Sequence, residues 1–156
     1  VLYIDCDTLI VDDLSDLFRR PPKILAAVNN DVNLMTLPEW HQGQAFEAAE
    51  SFNAGVMLLN LEYLRSSGYI AFRNENVATG MNDQSLLNLF LQGKHEKIPR
   101  NYNTLPTDKS DEDAKILHWC NYQKPWRCLR NTPSNMLWRH FDFQNKASAN
   151  STSLAK

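Results

Sequence analysis

The sequence predicts an α/β fold in which a mostly parallel central sheet is flanked by helices. Apolar segments of strand length alternate with segments of helical periodicity, which is the pattern of this class. Polar residues cluster at one end or the other of predicted strands, and ligands of open α/β sheets bind at strand ends; these residues are Asp5, Asp7, Asn53 and His118. With 156 residues, 43% of them apolar, the chain is long enough to bury one core.

The N-terminal elements follow from apolar runs and from the residues that interrupt them. Val1 to Asp7 is an apolar strand that ends in two carboxylates, and Thr8 to Val11 continues apolar. Capping residues predict a short helix that ends at Phe18, before a Pro-Pro pair. Ile24 to Val28 is a second buried strand. Residues 29–51 predict an irregular surface segment.

The middle of the chain predicts one strand and two helices. Phe52 to Asn60 is a strand with small and polar residues at its start and an apolar body. Leu61 to Phe72 is predicted to be helical. A second helix is capped by Asn82 or Asp83, carries leucines at core spacing, and is stopped by Gly93.

The C-terminal part predicts shorter elements. Residues 98–106 are expected to be extended, and residues 114–119 form a short strand with His118 near its end. Residues 134–143 form an amphipathic closing helix. We expect residues 1–146 to form one domain and residues 147–156 to be a disordered polar tail.

Composition excludes two classes of partner. The net charge of -2 and the isoelectric point near 6.1 give no electrostatic basis for binding nucleic acid. No apolar run approaches the roughly 20 residues that a transmembrane helix requires. We therefore expect neither nucleic acid nor a membrane-spanning segment within this chain.

The Asp-x-Asp pair at the end of the first strand is the main candidate site. Side chains two apart in a strand share a face, so Asp5 and Asp7 can converge, and converging carboxylates require a proton or a metal ion between them. Two carboxylates with the imidazole of His118 suit Mn²⁺, with Mg²⁺ as the competitor. Lys124, six residues later, adds a charge for a phosphate.

Four segments together make the chain resemble a known family. They are Leu2-Tyr-Ile-Asp-Cys-Asp-Thr-Leu9, Phe52-Asn-Ala-Gly-Val-Met-Leu-Leu-Asn60, Asn82-Asp-Gln-Ser-Leu-Leu-Asn88 and His118-Trp-Cys-Asn-Tyr-Gln-Lys-Pro-Trp126. In this order they resemble the family-8 glycosyltransferases, retaining enzymes of the GT-A fold that include glycogenin, galactinol synthases and bacterial lipopolysaccharide galactosyltransferases. The resemblance implies a GT-A domain whose N-terminal strands, which precede the Asp-x-Asp strand in the family, are missing here.

The resemblance also assigns roles to residues. It implies that Asp5, Asp7 and His118 ligate Mn²⁺, that both aspartates lie close to the donor, and that Lys124 grips the donor diphosphate. By the same resemblance Asn53, Ala54 and Asp83 line the sugar pocket, and Gln84 lies beside the anomeric carbon. Gly55 is expected to let the backbone approach the ligand. Gln84 and Asp83 are thus the expected catalytic residues.

The implied reaction is transfer of a hexose from a UDP-sugar to an acceptor hydroxyl with retention of anomeric configuration. Because the Gln84 amide is a poor nucleophile, we expect front-face attack, with Gln84 stabilising positive charge on the sugar. The acceptor is expected to be a glycan, a lipid-linked sugar or a protein. The resemblance implies the cytoplasm for a bacterial member and the Golgi lumen for a eukaryotic one.

Two other functions fit part of the sequence. Asp5-Cys-Asp-Thr8 also resembles the opening motif of haloacid-dehalogenase-type phosphatases, with Asp5 as nucleophile and Asp7 as general acid and base. That alternative leaves the segments 52–60 and 118–126 without a role. The other alternative is a non-catalytic fragment that binds sugar without turning it over.

Overall fold

The strands that the structure describes form two small sheets. A computed structural model describes residues 1–29, 51–106, 112–120, 124–128 and 130–153. The larger sheet has four strands in the order β1 (Leu2–Ile4), β4 (Phe52–Leu59), β3 (Leu25–Asn29) and β5 (Glu96–Lys97). The smaller sheet pairs β2 (Thr8–Ile10) with β6 (Ile116–His118). The predicted irregular segment lies almost wholly outside the described residues.

The α/β class is confirmed, but the sheet is mixed rather than mostly parallel. Strand β4 pairs antiparallel with both β1 and β3, and only β3 and β5 run parallel among the described strands. The sequence misled here because an apolar run indicates burial on both faces and carries no strand direction. Strands β3 and β4 are buried on both faces although their mutual pairing is antiparallel.

The core lies between the larger sheet and the helices that follow it. Buried side chains of β3, β4 and the helices form one cluster, namely Leu25, Ala27, Phe52, Ala54, Met57, Leu64, Leu87 and Leu91. Each fully buried leucine or phenylalanine stabilises the fold by about 1.5–3 kcal/mol. This packing fixes β4, whose first residues border the site.

The helical segment predicted over residues 61–72 is two helices. Helix α1 (Leu61–Ser66) is capped by the Asn60 side chain, which accepts from Tyr63 N, and α2 (Tyr69–Asn76) begins after Gly68. Gly68 has φ +85°, a left-handed conformation that glycine adopts without a Cβ clash, and this turn separates the helices.

Helix α3 (Asp83–Leu91) is fastened to the start of β4. Asn82 caps it, as predicted, by accepting from Ser85 N at 2.8 Å. The Asn88 amide accepts from Phe52 N and donates to Phe52 O and to Gln84 O, each at 2.9 Å. Because Asn88 is only 1% exposed, these bonds form in a medium of low polarity and hold α3 in register with β4.

The chain ends its described part in helix α4 (Pro133–Ser153). Trp119, which follows β6, donates to Asn135 at 2.9 Å and packs edge-on against Trp138, which ties the helix to the smaller sheet. The sequence predicts disorder from residue 147, yet the helix continues through Ser153 because neither glycine nor proline interrupts it. Residues 154–156 lie outside the described part. Among the described residues, no helix is both long and apolar enough to traverse a bilayer.

Candidate metal and donor site

The two aspartates lie in the turn that carries the chain from the larger sheet to the smaller one. Asp5 N donates to Gly55 O at 2.8 Å, and the Thr8 hydroxyl donates to Asp5 O at 2.7 Å. Asp7 O accepts from Trp119 N at 3.0 Å. Alternation along this turn leaves Cys6 exposed and turns Asp7 inward, so that the Asp7 side chain is 9% exposed.

Strand register brings His118 to the aspartates. His118 is opposite Thr8 in the β2–β6 pair. Its Nε2 lies 3.7 Å from Asp5 Oδ2 and 3.4 Å from Asp7 Oδ1, and one ligand atom from each of the three residues falls within 4.8 Å of the others. The structure thus joins residues that stand more than a hundred positions apart in the sequence.

These three residues fit a divalent metal ion. An ion about 2.1 Å from each ligand separates its ligand atoms by roughly 3 to 4.2 Å. His118 is 1% exposed, and among the described residues its Nε2 has no hydrogen-bond partner. Burial lowers the pKa of His118 below its usual value, although Asp7 and Asp5 oppose that shift. The imidazole is therefore neutral at pH 7, which is the form that ligates a metal.

Tyr3 orients one of the carboxylates. Its hydroxyl donates to Asp5 Oδ1 at 2.8 Å, while the other oxygen, Oδ2, faces His118. The hydrogen bond to Asp5 is the main reason that the pKa of Tyr3 is raised to about 12. The phenol therefore keeps its proton at neutral pH and continues to donate.

Gly55 makes room for the His118 ring. A Cβ built on Gly55 would lie 2.0 Å from Cε1 of His118 and 2.7 Å from each ring nitrogen. The sequence predicts that Gly55 admits a ligand, whereas in the structure the group that approaches its backbone is the candidate metal ligand itself. A side chain at this position would push His118 from the aspartates.

Lys124 lies beside the carboxylates. Its ammonium group pairs with Asp7 Oδ2 and donates to Trp119 O at 2.6 Å. The resemblance assigns Lys124 to a diphosphate, and in this structure the same positive charge neutralises Asp7. A cation that binds to Asp7 must compete with this contact.

The other side of the site is built from amides. Gln84 Oε1 accepts from Ala54 N at 3.0 Å and from Asn53 Nδ2 at 3.2 Å. Both lone pairs of that oxygen are therefore used, and the Gln84 amide nitrogen is the end left for a ligand. Asp83 is exposed at the start of α3, where it accepts from Gln84 N at 2.9 Å.

Asn103 belongs to the site but is not predicted by the sequence. It follows a 3₁₀ helix, Arg100–Tyr102, in a stretch predicted to be extended, and it bonds both Asn53 and His118 at 2.9 Å. Its sequence signal is weak, because Asn103 stands beside Tyr102 among other polar residues, Asn101 and Thr104. That signal does not identify a partner 15 residues away.

All nine predicted site residues line one cavity of about 300 Å³. They are Asp5, Asp7, Asn53, Ala54, Gly55, Asp83, Gln84, His118 and Lys124, and the cavity wall also includes Asn82 and Cys120. The carboxylates, the imidazole and the ammonium group lie together in one lining, and the amides complete it. The lining therefore offers carboxylates and an imidazole to a cation, an ammonium group to an anion, and amides to hydroxyl groups.

Comparisons with known proteins agree with this geometry. The model of the family described as "Glycosyl transferase family 8" matches residues 1–129. The chain is 29% identical over 150 residues to a probable glycosyl transferase Gly of Streptococcus gordonii, covering 88% of the chain and 21% of the relative. It is 27% identical over 154 residues to glycosyltransferase GlyA of Streptococcus pneumoniae, covering 90% and 21%.

A solved structure extends the agreement to the fold. The galactosyltransferase LgtC, crystallised with donor and acceptor sugar analogues, matches with a TM-score of 0.70 and 24% identity, covering 89% of the chain and 59% of LgtC. The chain therefore has the GT-A glycosyltransferase fold. It spans about a fifth of the length of the curated relatives named above.

Proposed function

The chain belongs to glycosyl transferase family 8, and from this premise we propose that it transfers a hexose from a UDP-sugar to an acceptor hydroxyl with retention of configuration. The acceptor is a glycan, a lipid-linked sugar or a protein. The proposed metal is Mn²⁺, with Mg²⁺ as the alternative. Family membership also decides against the phosphatase interpretation of Asp5 and Asp7.

One observation supports this proposal above all others. Two carboxylates and a neutral imidazole converge on one point of a cavity that also holds a lysine and an amide pair. Asp5, Asp7 and His118 would hold the divalent ion, whose positive charge offsets the charge that builds on a diphosphate leaving group. Lys124 is within the same lining, so its ammonium group adds a second cation for the diphosphate once it leaves Asp7.

The amide side is suited to orienting the donor sugar. Asn53 and Gln84 are held by backbone groups of β4, so their positions are set before a ligand binds. The expected role of the Gln84 oxygen, stabilising positive charge at the anomeric carbon, requires that it leave Ala54 and Asn53. We propose instead that Gln84 keeps these contacts and holds the sugar through its amide nitrogen, while the departing phosphate assists front-face attack.

The experiment is metal-dependent turnover of UDP-hexoses by the purified protein. We expect UDP release that requires Mn²⁺, a product with the donor's anomeric configuration by NMR, and a loss of about 100-fold or more in Asp7→Asn. Asp16→Asn is the matched control, because Asp16 is exposed and pairs only with Arg19 among the described residues.

Three outcomes would argue against the proposal. Unchanged turnover in Asp7→Asn would remove Asp7 from the metal site. Calorimetric binding of UDP and Mn²⁺ without any turnover would favour a non-catalytic sugar-binding protein. Phosphate release from a simple phosphomonoester, with no activity on sugar nucleotides, would favour a phosphatase.

A further inference from the structure

A chain of hydrogen bonds connects the backbone of β4 to His118. Gly55 N donates to Asn53 Oδ1 at 2.9 Å, Asn103 Nδ2 donates to the same oxygen at 2.9 Å, and Asn103 Oδ1 lies 2.9 Å from His118 Nδ1. Asn103 is 6% exposed and His118 is 1% exposed, so water does not compete for these groups.

The chemistry of the groups fixes the direction of every bond in this chain. A backbone N–H can only donate, so the Asn53 atom that faces Gly55 N is the oxygen. The Asn103 group that faces this oxygen must then be the NH₂ group, which leaves the Asn103 oxygen facing His118. An oxygen acceptor requires that His118 Nδ1 carry the proton.

A second backbone group gives the same orientation independently. Ala54 N donates to Gln84 Oε1, so the Asn53 atom that contacts this oxygen must be its nitrogen. Asn53 is therefore fixed from both ends of its amide. The orientation of Asn103, and through it the tautomer of His118, follows from two main-chain N–H groups of one strand.

We propose that Asn103 is a positioning residue that holds His118 in the Nδ1–H tautomer and so directs the unprotonated Nε2 toward Asp5 and Asp7. This inference rests on the proposed metal site. With Nδ1 protonated, the Nε2 lone pair faces the carboxylates and no proton has to leave the ring when a cation binds. Without Asn103, the ring can adopt the Nε2–H tautomer and donate to Asp7 instead, which closes the site to a cation.

The test begins with the metal-free protein at neutral pH. Long-range ¹H–¹⁵N NMR on histidine-labelled protein distinguishes the two tautomers, and we expect His118 to show a protonated Nδ1 and an unprotonated Nε2. A protonated Nε2 in the unsubstituted protein would overturn the proposal without any variant. This measurement involves neither metal nor turnover, so its result is independent of whether the proposed function is correct.

Two variants then test the role of Asn103 in metal binding. Asn103→Leu removes the acceptor, and we expect the Nδ1–H signature to be lost and Mn²⁺ affinity to fall about 10- to 100-fold by calorimetry. Asn103→Asp keeps an oxygen acceptor for Nδ1–H but loses the donor to Asn53, so we expect the Nδ1–H tautomer to be kept and Mn²⁺ affinity to fall less than in Asn103→Leu.

Asn101→Leu is the matched control. Asn101 lies two residues away in the 3₁₀ helix, lines a different groove, and its side-chain oxygen has no hydrogen-bond partner among the described residues. We expect its Mn²⁺ affinity to stay within about twofold, below the effect assigned to Asn103. Unchanged affinity and tautomer in Asn103→Leu, or an equal loss in Asn101→Leu, would overturn the proposal. If Asn103→Leu does not fold, the proposal is overturned when Asn103→Asp fails to keep the Nδ1–H form of His118.

Discussion

The two sides of the cavity satisfy their polar groups in different ways. On the amide side, Asn53 and Gln84 bond to each other and to backbone N–H groups of β4. On the acidic side, His118 Nε2 faces Asp5 and Asp7 at distances longer than a normal hydrogen bond, and Lys124 partly neutralises the pair. The comparison suggests that the amide side is preformed for an uncharged ligand, whereas the acidic side is completed by a cation.

The largest expected effect comes from filling the space between Gly55 and the His118 ring. In Gly55→Ala the new methyl group clashes with the His118 ring. We expect Mn²⁺ affinity to fall about 100-fold or more, and stability to fall by about 1–3 kcal/mol from overpacking. Calorimetry measures the first quantity and urea denaturation the second.

The double variant Gly55→Ala/His118→Ala is the control for this clash. Removing the ring leaves room for the methyl group, so Gly55→Ala should cost much less stability in the His118→Ala background. Additive costs would show that the ring does not pack on Gly55 as the structure has it.

Gln84 should affect turnover without affecting the metal. Gln84→Ala removes the group that faces the donor sugar, and we expect kcat to fall about 100-fold. Mn²⁺ affinity should stay unchanged, because Gly55 N still fixes the Asn53 amide. Steady-state kinetics and calorimetry check the two parts. Gln144→Ala, at an exposed position of α4, is the matched control. A parallel loss of Mn²⁺ affinity would mean that the two sides are not separate.

Replacing Lys124 should have a smaller effect, which strengthens the binding of Mn²⁺ and weakens the binding of UDP. In Lys124→Met, Asp7 loses its competing cation, so we expect Mn²⁺ alone to bind a few-fold more tightly, which corresponds to roughly 1 kcal/mol. UDP in the presence of Mn²⁺ should bind more weakly, because the diphosphate loses a positive charge. Lys115→Met is the matched control, since Lys115 pairs with Asp12 in another groove. Weaker binding of both ligands would show that Lys124 does not compete with the metal.

The sequence predicts the members of the acidic side better than their surroundings. Asp5, Asp7 and His118 are recognisable because few residue types ligate metals and because each stands at or near the end of an apolar strand. The supporting contacts are not recognisable in this way. Asn103 lies beside His118 because the neighbouring Thr104 pairs with β6, and Gly55 lies near the site because its carbonyl accepts from Asp5 N. Both are tertiary features. The antiparallel direction of β4 was not predicted for the same reason, because apolar periodicity carries no information on strand direction.

The metal site can be tested directly by pulsed electron paramagnetic resonance of Mn²⁺ bound to protein in which the histidines carry ¹⁵N. If Asp5, Asp7 and His118 hold one ion, the spectrum contains a coupling to a single imidazole nitrogen, and His118→Ala abolishes it. A spectrum of tightly bound Mn²⁺ with no histidine nitrogen coupling, or a coupling that survives in His118→Ala, would contradict the account.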